Sequence, residues 1–167
     1  YYKQTSESET TKISFYEDTY SLYNLYRFSH YYEEAYGKYI WLKSGASLVI
    51  EHTEAMTVID VNTGSVLKKK KQEDTLFYQI NREAAKEIAR QLRLRNISGI
   101  IMIDFINMKD TAQKEKLLSL LDSECKKDRV HCNVIDMTAL NLVEMTRSKV
   151  RKPLHEQIRS CMKNNRS

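Results

Sequence analysis

Two carboxylates close two apolar runs of this chain. Asp60 follows Met56, Val58 and Ile59 in TEAMTVIDVNTG, and Asp104 follows Ile100, Ile101 and Ile103 in ISGIIMIDFINM. An amide side chain comes two or three residues after each, Asn62 and Asn107. A carboxylate is costly to desolvate unless it is paired, hydrogen-bonded or bound to a cation. Two of them with amides nearby make an oxygen-rich set suited to a hard ion. Mg²⁺ takes one or two carboxylates and leaves its other positions to water and substrate phosphate. Loops at the carboxyl ends of strands are where α/β folds place ligands. Asp is also a common cap of turns and loops, and spacing alone leaves both readings open.

Both aspartates need strands to carry them. Ser44-Gly45 and His52-Thr53-Glu54 separate three strand-like runs, which predict an antiparallel meander over 39–43, 47–52 and 55–62. Tyr39 and Trp41 in the first run are expected in the core, and a further short strand is expected at Ile13–Tyr16. Asn81 is placed as the N-cap of a helix reaching Leu94, with Ala84, Ala85, Ile88, Ala89 and Leu92 inward. The all-apolar IIMI predicts a buried central strand. A helix over 109–127 follows, with Leu117, Leu118, Leu121 and Cys125 inward, then strands at 132–135 and 142–146. After Pro153 the pattern dissolves into a basic tail, RSCMKNNRS. A meander followed by β-α-β-α-β implies an α/β fold, a mixed β-sheet with flanking helices. The expected division is a polar tail and Tyr-rich annex over 1–38, a main domain over 39–150, and the tail over 151–167.

The chain has 167 residues, enough for one domain with a core and a short annex. It carries 27 basic and 22 acidic residues, net +5, a lean toward a polyanionic partner. No apolar run approaches the ~20 residues of a membrane helix, so no membrane partner is expected. The first residues are polar, without a signal-peptide pattern, and position 1 is Tyr, which suggests a piece of something longer. Three unpatterned cysteines, Cys125, Cys132 and Cys161, fit a reducing, cytoplasmic setting, with Cys125 and Cys132 as small buried apolar residues. Ten of the eleven tyrosines lie at or before Tyr39. They could stack RNA bases, although the helical spacing of Tyr20, Tyr23 and Tyr26 with Leu22 and Leu25 favours packing. Arg82, Lys86, Arg90 and Arg93 share about a quarter of one helix circumference. Such a stripe could follow a phosphate backbone or simply face water. Lys68, Lys69, Lys70 and Lys71 could hold phosphates or form a solvated loop. His30, His52 and His155 have no partner spacing and receive no role.

The wording of these segments is distinctive. TEAMTVIDVNTG, INREAAKEIARQLRLRNISGIIMIDFINM and KDRVHCNV…LNLVEMTR, with FSHYYEEAYGKYIWLKSGASLVIEHTEAM upstream, resemble the ribonuclease E/G family of bacterial endoribonucleases, from about Lys12 to Arg147. The resemblance implies a deoxyribonuclease-I-like catalytic subdomain preceded by the end of a ribonuclease-H-like one. It implies that Asp60 and Asp104 bind a catalytic Mg²⁺, that Asn62 assists, and that single-stranded RNA is cut to 5′-phosphate and 3′-hydroxyl ends. The chain also departs from the family. Asn107 replaces a frequent second aspartate, and His131 stands where a phosphate-pocket arginine is usual. Cys161 stands alone where a CPxC pair holds a shared zinc, and a tetrahedral thiolate site needs more than one sulfur per chain. The expectation is Mg²⁺ without zinc, and any homo-oligomer would lack a zinc link. The fragment should be weakly active by itself. The alternative is a non-catalytic RNA-binding or assembly module.

Overall fold

A computed structural model gives the structure of residues 15–64 and 73–164. They fall into two compact units, one ending at Tyr32 and one beginning at Glu33. In the first, a short helix α1 (Leu22–Leu25) stops where Arg27 takes φ +50°; α2 (Phe28–Tyr36) follows, with Phe28 to Tyr32 in the first unit and Glu33 to Tyr36 in the second. The rings of this unit pack on one another: Tyr23 lies 5.8 Å from Phe28 and 6.4 Å from Tyr32, centroid to centroid. Tyr20, Tyr23 and Tyr26 remain exposed. Of the short strand expected at 13–16, Ile13 and Ser14 lie outside the described residues, and Phe15 and Tyr16 are in no strand.

The second unit is an α/β fold around a mixed six-stranded sheet. Its strands are β1 (Tyr39–Trp41), β2 (Ser47–His52), β3 (Met56–Asn62), β4 (Gly99–Asp104), β5 (Cys132–Met137) and β6 (Leu142–Arg147), in spatial order β1-β2-β3-β4-β6-β5. β1, β2 and β3 form the expected antiparallel meander. β3 and β4 are parallel, joined through helix α3 (Glu73–Leu94), and β4 reaches β5 through α4 (Thr111–Cys125). β5 and β6 form an antiparallel hairpin, with β6 between β4 and β5. Side chains alternate across a strand, and here the alternation sorts the chemistry. Leu48, Ile59, Val61, Ile101, Ile103, Val143 and Met145 join one core with Ala84, Ala85, Ile88 and Leu92 of α3 and Leu117 and Leu121 of α4. The intervening residues, Val49, Asp60, Asn62, Met102 and Asp104, lie on the opposite face and are half-buried or exposed.

Three expectations are corrected. α3 begins at Glu73, about two turns before Asn81, because Leu76 and Ile80 continue its apolar stripe into the core. Asn81 is therefore no cap; it is fully buried mid-helix. Tyr39 and Trp41 are not core residues: they are 60% and 73% exposed, flanking the buried Ile40 on an edge strand. The basic tail is a helix, α5 (Leu154–Asn164). Pro153 is buried just before it, and its carbonyl accepts from the backbone N–H groups of Glu156 and Gln157, closing the first turn. Cys125 is buried as expected, and Cys132 only half-buried.

The end of the sheet away from the two aspartates is clamped by a buried ion pair. Arg147 donates through Nε to Asp128 Oδ2 at 2.9 Å, and through Nη1 to Asn96 Oδ1 and the Ile97 carbonyl, each at 2.9 Å. Burial alone would raise Asp128, but bonds from Arg147 and the Val130 N–H hold its carboxyl below the usual range.

Candidate metal centre

Asp60 and Asp104 are direct neighbours in the parallel β3–β4 ladder. Adjacent strands lie about 4.8 Å apart, so the two carboxylates rise side by side from the open face. Asn62, two residues on and therefore on the same face, donates from Nδ2 to Asp60 Oδ2 at 2.6 Å. The Asp104 carboxyl is pushed up, first by burial and then by the charge of Asp60. Two carboxylates so placed repel each other, and a cation between them relieves that repulsion. Among the described residues no group of three or more His, Cys, Asp or Glu side chains converges as a metal cage. The donors present therefore suit an ion that keeps several positions for water and phosphate, as Mg²⁺ does, rather than one enclosed by protein.

Helix α3 braces both loops beside the carboxylates. Asn81 spans the segment after Asp104: Nδ2 donates to the Ile106 carbonyl at 2.7 Å, and Oδ1 accepts from the Ile106 N–H at 3.0 Å. Phe105 and Met108 anchor the same segment in the core. On the other side, Glu83 Oε1 accepts from the Lys43 N–H at 2.7 Å, and Oε2 from the Ser44 N–H at 3.3 Å, fixing the β1–β2 turn. Gly64, at φ +56°, packs on that turn. A Cβ there would lie 2.6 Å from the Gly45 carbonyl oxygen, so the exit from Asn62 needs glycine. Asp110 caps α4 by accepting from the Ala112 N–H at 2.9 Å.

The other candidate residues are not gathered at this centre. Arg90 is half-buried and ion-paired with Glu34 and Glu87, which leaves it poorly placed for phosphate. Arg82, Lys86 and Arg93 are exposed. They belong to the helix that covers the opposite face of the sheet from Asp60 and Asp104. His131 is exposed and precedes β5, whose first residue Cys132 pairs with Arg147 at the far end of the sheet. Gly99, the partner of Arg147, lies five residue steps along the strand from Asp104, about 17 Å at the usual strand rise. Lys68, Lys69, Lys70 and Lys71 lie outside the described residues.

Sequence reasoning missed Asn81. The signal was present: an amide on the inward stripe of a helix, among Ile80, Ala84, Ala85 and Ile88, must find hydrogen-bond partners. It also missed His52 and His155, which stack with ring centroids 3.8 Å apart. His52 faces Thr57 Oγ1 at 3.0 Å from Nδ1. These histidines come from β2 and α5 and line a separate cleft with Arg95 and Arg159.

Comparison with known proteins adds an independent observation. The sequence profile of the Ribonuclease E/G family matches residues 1–150. Ribonuclease G of Escherichia coli (strain K12) is 41% identical over 145 residues, covering 87% of this chain and 29% of that protein. Ribonuclease G of Haemophilus influenzae is 42% identical over 143 residues, 86% of this chain and 29% of the relative. Ribonuclease E of Synechocystis sp. is 38% identical over 148 residues, 89% and 22% respectively. The chain thus spans under a third of the length of these relatives.

Proposed function

The chain belongs to the ribonuclease E/G family, and we propose that it holds the catalytic carboxylates of a Mg²⁺-dependent endoribonuclease. Its substrate would be single-stranded RNA, cut to 5′-phosphate and 3′-hydroxyl ends. The observation that supports this most is the pairing of Asp60 with Asp104 on the open sheet face, bordered by Asn62. In this reading both carboxylates hold the ion. Bound there, Mg²⁺ would activate water and neutralise charge on the phosphodiester. Asn62 fixes the Asp60 carboxylate by its hydrogen bond, and Asn81 keeps the strand end after Asp104 in place. The open face leaves room for an extended strand to lie across the carboxylates.

No helix among the described residues is long and apolar enough to cross a membrane. The three cysteines are free, which fits the reducing cytoplasm where such RNA processing would occur. Much of the substrate-gripping surface of a protein of this family would lie in segments outside this chain. Remote binding contacts contribute to catalysis as well as affinity, so cleavage by the chain alone should be weak. Asp60→Asn and Asp104→Asn should each abolish cleavage in a longer protein that contains this chain, with the fold retained. RNA cleavage at the parent rate in either variant would rule the assignment out. An RNA-binding module without catalysis predicts instead RNA retention with no Mg²⁺-dependent products.

A further inference from the structure

The row of residues that holds the two aspartates continues across the sheet. Register places Tyr39 opposite Val49, Val49 opposite Asp60, and Asp60 opposite Asp104. Residues directly opposite one another project to the same face. Tyr39 thus stands two strands from Asp60, about 10 Å away, on the carboxylate face. Trp41 sits in the next row of that face, opposite Ser47, which in turn pairs with Asn62. The two aromatic residues are 60% and 73% exposed. An aromatic pair left in water at the edge of an open sheet has lost the packing that aromatics normally gain.

We propose that Tyr39 and Trp41 form a base-stacking subsite for the single strand whose phosphate lies at Asp60 and Asp104. The proposal rests on the nuclease reading of those carboxylates. Two features point to nucleic acid as the occupant. The residues are i and i+2 on one strand, about 6.7 Å apart, so each ring can receive a different base of an extended strand. Cations also flank them. Lys38 Nζ lies 5.8 Å from the Tyr39 ring centroid, and exposed Lys43 lies two residues beyond Trp41. Lys38 is ion-paired with Glu51, but both partners are about half exposed, and such a surface pair is readily exchanged for another anion. Stacking on aromatic faces tolerates any base, so this subsite would grip the strand without selecting a sequence.

Trp41 is the only tryptophan in the chain, which makes its fluorescence a direct reporter. The chain would be titrated, with divalent ions chelated, with an eight-nucleotide single-stranded RNA and with an abasic oligomer of equal length and charge. The RNA should quench Trp41 emission and the abasic oligomer should not. By anisotropy of labelled RNA, Trp41→Ala should weaken binding roughly tenfold and Tyr39→Ala by a similar factor, whereas Trp41→Phe should keep most of the affinity. Equal responses to RNA and abasic oligomer would overturn the subsite, and continued RNA cleavage would leave the nuclease reading standing. Quenching by RNA with no Mg²⁺-dependent cleavage in the longer protein would remove the nuclease reading and keep the aromatic subsite as a binding site. A concentration-dependent blue shift of Trp41 without any response to RNA would overturn the proposal in favour of a second copy on that face.

Discussion

Replacing Asn81 with Ala should loosen the strand end that carries Asp104. Asn81 is fully buried and makes both bonds to the Ile106 backbone, at 2.7 and 3.0 Å. Each such bond contributes about 1 kcal/mol net, and stranding the Ile106 N–H in a partly buried setting costs about 1–2 kcal/mol more. The expected loss is therefore about 3–4 kcal/mol, a large share of the 5–15 kcal/mol typical of a domain. Urea unfolding should show a lower midpoint with an unchanged slope, since the surface exposed on unfolding is the same. Asn81→Asp should do no better, because a carboxylate keeps the acceptor, loses the donor and faces a carbonyl oxygen. On the proposed metal centre, Mg²⁺ should raise the melting temperature of the parent, and by less in Asn81→Ala, because the segment behind Asp104 is no longer fixed. An Asn81→Ala protein within about 0.5 kcal/mol of the parent, with the same Mg²⁺ response, would refute the bracing role.

Asp128→Ala strands the Arg147 guanidinium, whose side chain is 3% exposed; breaking a buried pair should cost about 3–5 kcal/mol, read as a lower urea midpoint. Acid should also destabilise the protein through His52. Burial first, and then the charges of His155 and Arg95, hold its pKa down to about 4 from 6.5. The unfolded chain takes up the proton first, so this contribution is complete above pH 6.5 and is lost as pH falls toward about 4. The full shift would correspond to about 3 kcal/mol, reduced to about 1–2 kcal/mol because the half-buried ring is partly screened by water. Unfolding free energies at pH 7.5 and 4.5 should differ less in His52→Gln by about that amount, and an unchanged difference would dismiss the effect.

The sheet was readable because β3 and β4 each carry an aspartate at or near the end of an apolar run, and because Ser44-Gly45 and His52-Thr53-Glu54 punctuate the meander. The side-by-side placement of Asp60 and Asp104 required only that their strands be neighbours, which a β-α-β unit favours. What escaped prediction depends on partners distant in sequence. Asn81 looks like a cap until its bonds to Ile106 are known, 25 residues away. Tyr39 and Trp41 carry enough apolar surface for a core, but on the outer strand they flank the buried Ile40 and face away from the core, which leaves them exposed. The helix after Pro153 was legible in Leu154, Ile158, Cys161 and Met162, which recur at helical spacing, but this short stripe is easily overlooked among basic and polar residues; the stacking of His155 on His52 spans about a hundred positions of the chain. The basic stripe of α3 was visible at the right spacing, but spacing does not reveal which face of the sheet a helix covers, nor that Glu34 claims Arg90.

The decisive measurement is ion stoichiometry. Mn²⁺ shares the octahedral oxygen preference of Mg²⁺, and its free concentration is counted by electron paramagnetic resonance. Titrated into the parent chain, Asp60→Asn, Asp104→Asn and the double variant, it should occupy one site per parent chain. Either single substitution should remove that site, and the double should add no further loss. Undiminished binding in either single variant, or a site that needs only one of the two aspartates, would contradict a shared metal centre at Asp60 and Asp104.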